Sequence, residues 1–117
     1  MDQSNEFVGK VALITGGSRG IGRGCAIKLA QAGADVVINY LEREDAAHEV
    51  AEWVKGIGRR AHLIKADVCD EVQVAYMFDQ IQTEFGRLDI LVNNVGPFIV
   101  RSVLKMSPDE WRLMLDA

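Results

Sequence analysis

Thr15-Gly16-Gly17-Ser18-Arg19-Gly20-Ile21-Gly22 is the stretch that decides how the rest of the chain is read. Ahead of it runs Val11-Ala12-Leu13-Ile14, and behind it a helical pattern extends from Ile21 to Ala32. Strand, glycine-rich turn and helix in that order are the context in which glycine spacing points to a phosphate ligand. Glycines let the backbone turn sharply and approach a ligand with no Cβ in between. The helix that follows opens with N–H groups that lack intrahelical acceptors and with a partial positive charge, so its first turn attracts a pyrophosphate. Four glycines within seven residues, with Ser18 and Arg19 between them, set this stretch apart from an ordinary tight turn.

Working outward, the chain of 117 residues has the size of one domain, and 49% apolar residues suffice for a sizeable core. The net charge is −4. Its basic residues are scattered among acids, which argues against a nucleic-acid or membrane surface. Phosphate binding must therefore come from local geometry and one or two placed cations. Cys25 and Cys69 have no metal-ligand spacing and read as reduced thiols of a cytoplasmic protein. The polar, acidic start from Met1 to Glu6 is unlike a signal peptide, and no apolar run approaches membrane-spanning length.

The first strand is expected over Lys10 to Thr15, its continuous apolar character suiting a parallel strand covered on both faces. A helix follows from Gly20 to Ala32, with Ile21, Cys25 and Leu29 on one face, Gly22 and Ala26 on an adjoining line, and Gly33 as its stop. Asp35 to Tyr40 reads as the second strand. Arg43 to Gly56 reads as a helix burying Ala46, Ala47, Val50, Trp53 and Val54. Ala61 to Ala66 is the third strand. Asp70 is the expected N-cap of another helix, with Gln73 placed as in a capping box. Val74, Phe78, Ile81 and Phe85 form its buried face, and Gly86 ends it. Leu88 to Asn93 is the fourth strand, and Val95 to Met106 reads as a loop with apolar content. Ser107-Pro108-Asp109-Glu110 starts a last helix that shows no stop signal before Ala117. Trp53 and Trp111 read as packing residues, Tyr76 as packed along its helix, His48 as exposed and His62 as lacking a visible partner.

Regular alternation of strand and helix implies an α/β fold, a Rossmann-type doubly wound parallel sheet with right-handed crossovers and strand order 3-2-1-4. Strand four would then lie at an edge. Its core, Leu88-Asp89-Ile90-Leu91-Val92, carries neither the proline nor the lysine that blunts natural edges. A further strand is expected beside it, from more of the same chain or from a second copy. With the open-ended last helix, this suggests a fold truncated before its second half.

Three motifs in order now resemble one family, the short-chain dehydrogenase/reductases. Thr15 to Gly22 looks like that family's Thr-Gly-x-x-x-Gly-x-Gly. Asp67-Val68 is similar to the pair that holds the adenine. Asn93-Asn94-Val95-Gly96 resembles the family's Asn-Asn-Ala-Gly, with Val95 in place of the usual alanine. Asp109-Glu110-Trp111 also resembles the start of a family helix. The resemblance runs from Gly9 to Ala117 and is strongest to 3-oxoacyl-carrier-protein reductases and similar NADPH-dependent carbonyl reductases. It implies that residues 1–117 are the N-terminal part of a single dinucleotide-binding domain. It also implies that the catalytic Ser, Tyr, Lys and assisting Asn lie beyond this chain. Tyr40 and Tyr76 are its only tyrosines, and neither is followed by a lysine four residues on.

The cofactor-binding residues implied are Gly16, Gly20 and Gly22 under the pyrophosphate, with Ile21 in the same turn. Ser18 would serve as a hydroxyl donor, and Arg19 would reach the adenosine end. Tyr40 and Arg43 follow the second strand, Asp67 and Val68 sit at the adenine, and Asn94 and Gly96 at the ribose and nicotinamide approach. Cofactor choice can also be argued from the residues. NAD-binding folds place an Asp or Glu at the end of the second strand to accept from the ribose 2′-OH. Here that end reads Asn39-Tyr40-Leu41, and Arg19 and Arg43 could attract a 2′-phosphate, so NADP is expected over NAD. Glu42 would be the NAD-type acid if the strand ran longer. By resemblance the whole protein would be an oxidoreductase transferring hydride between NADPH and a small carbonyl or alcohol, a cytoplasmic dimer or tetramer. The alternative is a stand-alone nucleotide-binding or regulatory module without catalysis.

Overall fold

In the computed structural model, which describes residues 5–18, 20–94 and 99–102, the elements follow in the order β1 (Val11–Thr15), α1 (Gly20–Gln31), β2 (Asp35–Tyr40), α2 (Glu44–Gly56), β3 (Ala61–Lys65), α3 (Glu71–Phe85), β4 (Ile90–Asn93) and β5 (Ile99–Ser102). The strands form one sheet in the order β3-β2-β1-β4-β5. Strands β1 to β4 are mutually parallel, with Ala12 beside both Val36 and Ile90 and Ile38 beside Leu63.

All five residues of β1 are buried, because helices cover both faces of the central strand. The period-two pleat divides its side chains between two cores. Ala12 and Ile14 join Val36, Ile38, Ile90 and Val92 beneath α1 and α2, where Ala26, Val50 and Val54 close the layer. Val11 and Leu13 join Val37, Ile64 and Leu91 beneath α3, where Val74, Met77 and Ile81 do the same.

The start of α3 is set by side chains. Asp70 accepts from the N–H groups of Val72 at 2.9 Å and Gln73 at 3.4 Å. Gln73 donates to Asp70 Oδ2 at 3.1 Å and accepts from the N–H of Asp67 at 2.7 Å. The reciprocal cap thus reaches Asp67, because the N–H of Asp70 already donates to the Asp67 carbonyl. The Gln73 side chain, and then the two backbone donors, hold the Asp70 carboxyl below its usual range. Gly86 ends the helix in the left-handed region, with φ 73°.

Several expectations need correction. In α3 the buried residues are Val74, Met77 and Ile81, while Phe78 and Phe85, like Ala46 in α2, are only partly covered. The buried line of α1 is Gly22, Ala26 and Ala30, while Ile21 is 65% exposed and Cys25 and Leu29 are only partly covered. Small residues win that face because α1 lies close against the sheet. In α2 the stripe is Ala47, Val50, Ala51 and Val54, and Trp53 falls off it, 55% exposed. His62 does have partners: its Nε2 lies 3.3 Å from Gln80 Oε1, and its ring meets Phe85 edge-on. Finally, part of the expected loop over Val95 to Met106 is a strand. β5 pairs antiparallel with β4, placing Asn93 beside Ile99 and Ile90 beside Ser102. The unblunted flank of β4 is therefore covered by the chain's own next segment, whose Ile99-Val100 pair favours extended backbone. Tyr76 is exposed and accepts a hydrogen bond from Gln80 Nε2, and His48 is exposed as expected. Trp111 and the helix start at Ser107 lie outside the described residues.

Candidate nucleotide site

From β1 the chain winds out through β2 to β3, then crosses back to place β4 on the other side of β1. Ligands bind in open α/β sheets at such a reversal, outside the carboxyl ends of the strands. A cleft of about 690 Å³ lies there. Gly16, Ser18, Gly20 and Ile21 form one wall, from the turn after β1 and the start of α1. Tyr40, Leu41, Glu42 and Arg43 form the second, from the end of β2, and Asn94 closes the third side after β4.

Close contact between α1 and the turn shapes this cleft. Gly16 has φ 61°, a conformation that L side chains rarely adopt. A Cβ on Gly22 would sit 2.5 Å from the Gly16 carbonyl oxygen and 2.7 Å from Asn94 Nδ2. Only glycine allows the first turn of α1 to approach so near, and with it the helix N–H groups that lack intrahelical acceptors.

Beneath the turn lies a layer of neutral hydrogen bonds. Thr15 Oγ1 donates to Asn93 Oδ1 at 3.1 Å and accepts from the N–H of Asn94 at 2.9 Å. Asn94 Nδ2 donates to the Gly16 carbonyl at 3.0 Å. On the other side, Asn39 is 2% exposed; its Oδ1 accepts from the N–H of Gly16 at 3.3 Å, and its carbonyl accepts from Gly17 at 3.0 Å. The first two N–H groups of the turn thus point into the sheet. A helix start leaves its own first N–H groups without intrahelical acceptors, and these open α1 at the cleft wall.

The expected cofactor residues divide as follows. Gly16, Ser18, Gly20, Ile21, Tyr40, Arg43 and Asn94 line the cleft, and Gly22 lies directly behind it. Asn94 also has the structural duty just described. Asp67 and Val68 are not in its lining. Asp67 Oδ1 accepts from the N–H of Cys69 at 2.9 Å, the turn role considered for it, and Val68 packs under α3. Arg19 and Gly96 lie outside the described residues. Sequence reasoning missed Asn39 and Thr15 as supports of the turn, and it placed Glu42 outside the site unless the strand ran longer. β2 ends at Tyr40 as expected, yet Glu42 still lines the cleft beside Arg43.

Burial first, and then the Glu44 carboxylate, push the Tyr40 hydroxyl above its usual range, so it stays a protonated donor. Arg43 is half-exposed, and its Nε lies 3.9 Å from Asp45 Oδ1, a loose pairing that leaves most of its donors to solvent or ligand. Among the described residues, no helix is long and apolar enough to cross a membrane.

A family model for the short chain dehydrogenases matches residues 10–117. The chain belongs to that family. Among solved structures, a short-chain dehydrogenase from Burkholderia cenocepacia, determined in complex with NADP, is 45% identical with a TM-score of 0.76. The match covers 91% of this chain and 43% of that one. The hydroxynaphthalene reductase-like protein Arp2 of Metarhizium majus is 41% identical over 90% of this chain and 39% of its own length. A 3-oxoacyl-[acyl-carrier-protein] reductase of Staphylococcus aureus is 39% identical over 92% of this chain and 44% of its own. The chain thus spans about two-fifths of the length of these relatives. Members of the family with such names are oxidoreductases, and the cleft described above is consistent with binding of NAD(P).

Proposed function

We propose that this chain is the N-terminal, NADP(H)-binding part of a single dinucleotide-binding domain. The whole protein transfers a hydride between NADPH and a carbonyl or alcohol, in the manner of a 3-oxoacyl reductase. The observation that carries the reading is the cleft at the strand-order reversal, with the start of α1 on one wall and Arg43 on another. Gly16, Gly20, Ile21 and Gly22 hold the pyrophosphate, and Ser18 donates to it or to the ribose. Arg43 faces the 2′-phosphate, Arg19 is assigned to it by the family resemblance, and Tyr40 borders the adenosine. Asn94 and Gly96 are assigned to the ribose and nicotinamide approach, and Asp67 and Val68, which lie outside the cleft lining, to the adenine by the family resemblance. The bound nicotinamide supplies the hydride chemistry, while these residues bind and orient it.

No catalytic residue is assigned to this chain, so the 117 residues alone are expected to bind nucleotide without turnover. By the same reading the whole protein is a cytoplasmic homo-oligomer, a dimer or tetramer, acting on a small molecule.

Calorimetric titration of the chain with NADPH and with NADH tests the proposal. The expected result is at least ten-fold tighter binding of NADPH, a preference of about 1.4 kcal/mol. Arg43→Ala should remove most of that preference, leaving NADH affinity unchanged. Equal affinities would turn the cofactor assignment toward NAD and give Glu42 the ribose-binding role. Absence of binding by folded chain would overturn the nucleotide reading.

A further inference from the structure

We infer that Asn39 is a positioning residue for the nucleotide, its carboxamide fixing the phosphate-binding turn against the carboxyl ends of β2 and β3. The inference rests on the nucleotide reading above. Asn39 sits one residue before the end of β2, opposite Ile64 of β3. Its Oδ1 accepts from the N–H of Gly16 at 3.3 Å. Its Nδ2 donates to the carbonyls of Ile64 at 3.3 Å and Ala66 at 3.0 Å. One buried side chain therefore joins three segments: the turn after β1, the end of β2, and the stretch leading from β3 to Asp67.

The chemistry demands an amide. Two carbonyl oxygens receive donors and one N–H receives an acceptor, all from a single short side chain. A carboxylate is acceptor-only and would face two carbonyl oxygens with charge, whereas a protonated carboxyl group could accept from Gly16 and donate to one carbonyl. An aliphatic side chain satisfies none of the three. The backbone bond from Gly17 to the Asn39 carbonyl survives any substitution. What the carboxamide adds is the placement of Gly16, whose carbonyl also holds Asn94. The turn is thus braced from both sides of β1, and its offset from the β3 end is set by Asn39.

Asn39→Asp and Asn39→Leu, compared with the parent, test this by titration with NADP+ at pH 8 and pH 5.5. Lys65 and Asp67 flank the two acceptor carbonyls and are present in all three proteins. Taking each variant's affinity as a ratio to the parent at the same pH removes their titration and that of the nucleotide. At pH 8 both variants should bind at least ten-fold more weakly than the parent. At pH 5.5 Asn39→Asp should recover to within about three-fold as its carboxyl group protonates, whereas Asn39→Leu should not recover.

Folded variants that bind like the parent, or an Asp variant with the same deficit at both pH values, would overturn the brace. A folded parent that binds no nucleotide would fail the functional reading and take this inference with it. A measurement on the parent keeps the brace testable should the variants not fold. The Gly16 amide and the Asn39 carboxamide protons should exchange with deuterium at least 100-fold more slowly than exposed amides. Exchange at the exposed rate would also overturn the proposal.

Discussion

At the amino end of the sheet the polar contacts are charged. Asp89, 3% exposed, accepts from the N–H of Val11 at 2.9 Å and takes both prongs of the Arg87 guanidinium at 2.7 and 2.8 Å. One strand away, Asp35 accepts from the N–H of Arg60. At the carboxyl end the contacts beneath the turn are neutral: Thr15, Asn39 and Asn94 join backbone to backbone without a formal charge. The difference teaches how one sheet serves two purposes. Fixed charges close the end that only has to hold together. At the other end, a carboxylate under the turn would oppose an anionic ligand and compete for the N–H groups that must bind it.

The sharpest way to break this contrast is at Gly22. Gly22→Val places a Cβ within 2.5 Å of the Gly16 carbonyl and adds two methyl groups. Overpacking at such a site costs about 3 kcal/mol. Urea unfolding should show that loss, and titration with NADP+ should show at least a thirty-fold drop in affinity. A stable variant that binds normally would mean the close approach of α1 is dispensable.

Next in size is Asp89→Ala, which strands the Val11 N–H and removes the partner of Arg87. The expected cost is about 2 kcal/mol, with nucleotide affinity unchanged within two-fold. A large affinity loss would show that the two ends are coupled and would dissolve the contrast.

The smallest effect is in acid. Burial raises the Asp89 carboxyl, but the Arg87 hydrogen bonds, the Val11 N–H and the charges of Arg87 and Lys10 outweigh it and hold the group below its ordinary value. The unfolded chain therefore takes up this proton first as pH falls. The stabilisation is complete above the unfolded value, about 3.9, and is lost as pH drops through the lower folded value. Urea midpoints measured from pH 6 downward should fall more steeply for the parent than for Asp89→Asn. Asp70, also lowered, contributes the same sign in both proteins. Parallel curves would mean that Asp89 is not linked to folding.

Much of this molecule was legible because its signals are local. The caps at Asp70 and Gly86 and the apolar strands fall where a few neighbouring residues place them. Faces were harder. Ile21-Cys25-Leu29 and Gly22-Ala26-Ala30 have the same period, and only the nearness of the turn selects the smaller set. Trp53 looks apolar in sequence yet lies off a stripe already filled by smaller residues. The strand at Ile99 was hidden inside a segment read as loop, since the extended preference of Ile99-Val100 covers only two residues and its partner is β4. At the site, glycine spacing located the turn and the cleft. Asn39 went unnoticed because its three partners come from residues 16, 64 and 66, which only the folded sheet brings together.

The placement of β1 between β2 and β4 also has a consequence in time. The Val11–Asp89 and Gly16–Asn94 hydrogen bonds each span 78 residues. Synthesis at roughly 5–20 residues per second separates the emergence of their partners by about 4–16 s. Until then the nascent chain can pair β1 only with β2, and one whole edge of its central strand is bare. The glycine turn gains its Asn39 support once β2 is made and its Asn94 support only after β4. Nucleotide in the cell thus has no finished cleft to stabilise until the residues after β4 leave the ribosome, and a stall before Asn94 would expose an apolar strand edge to aggregation.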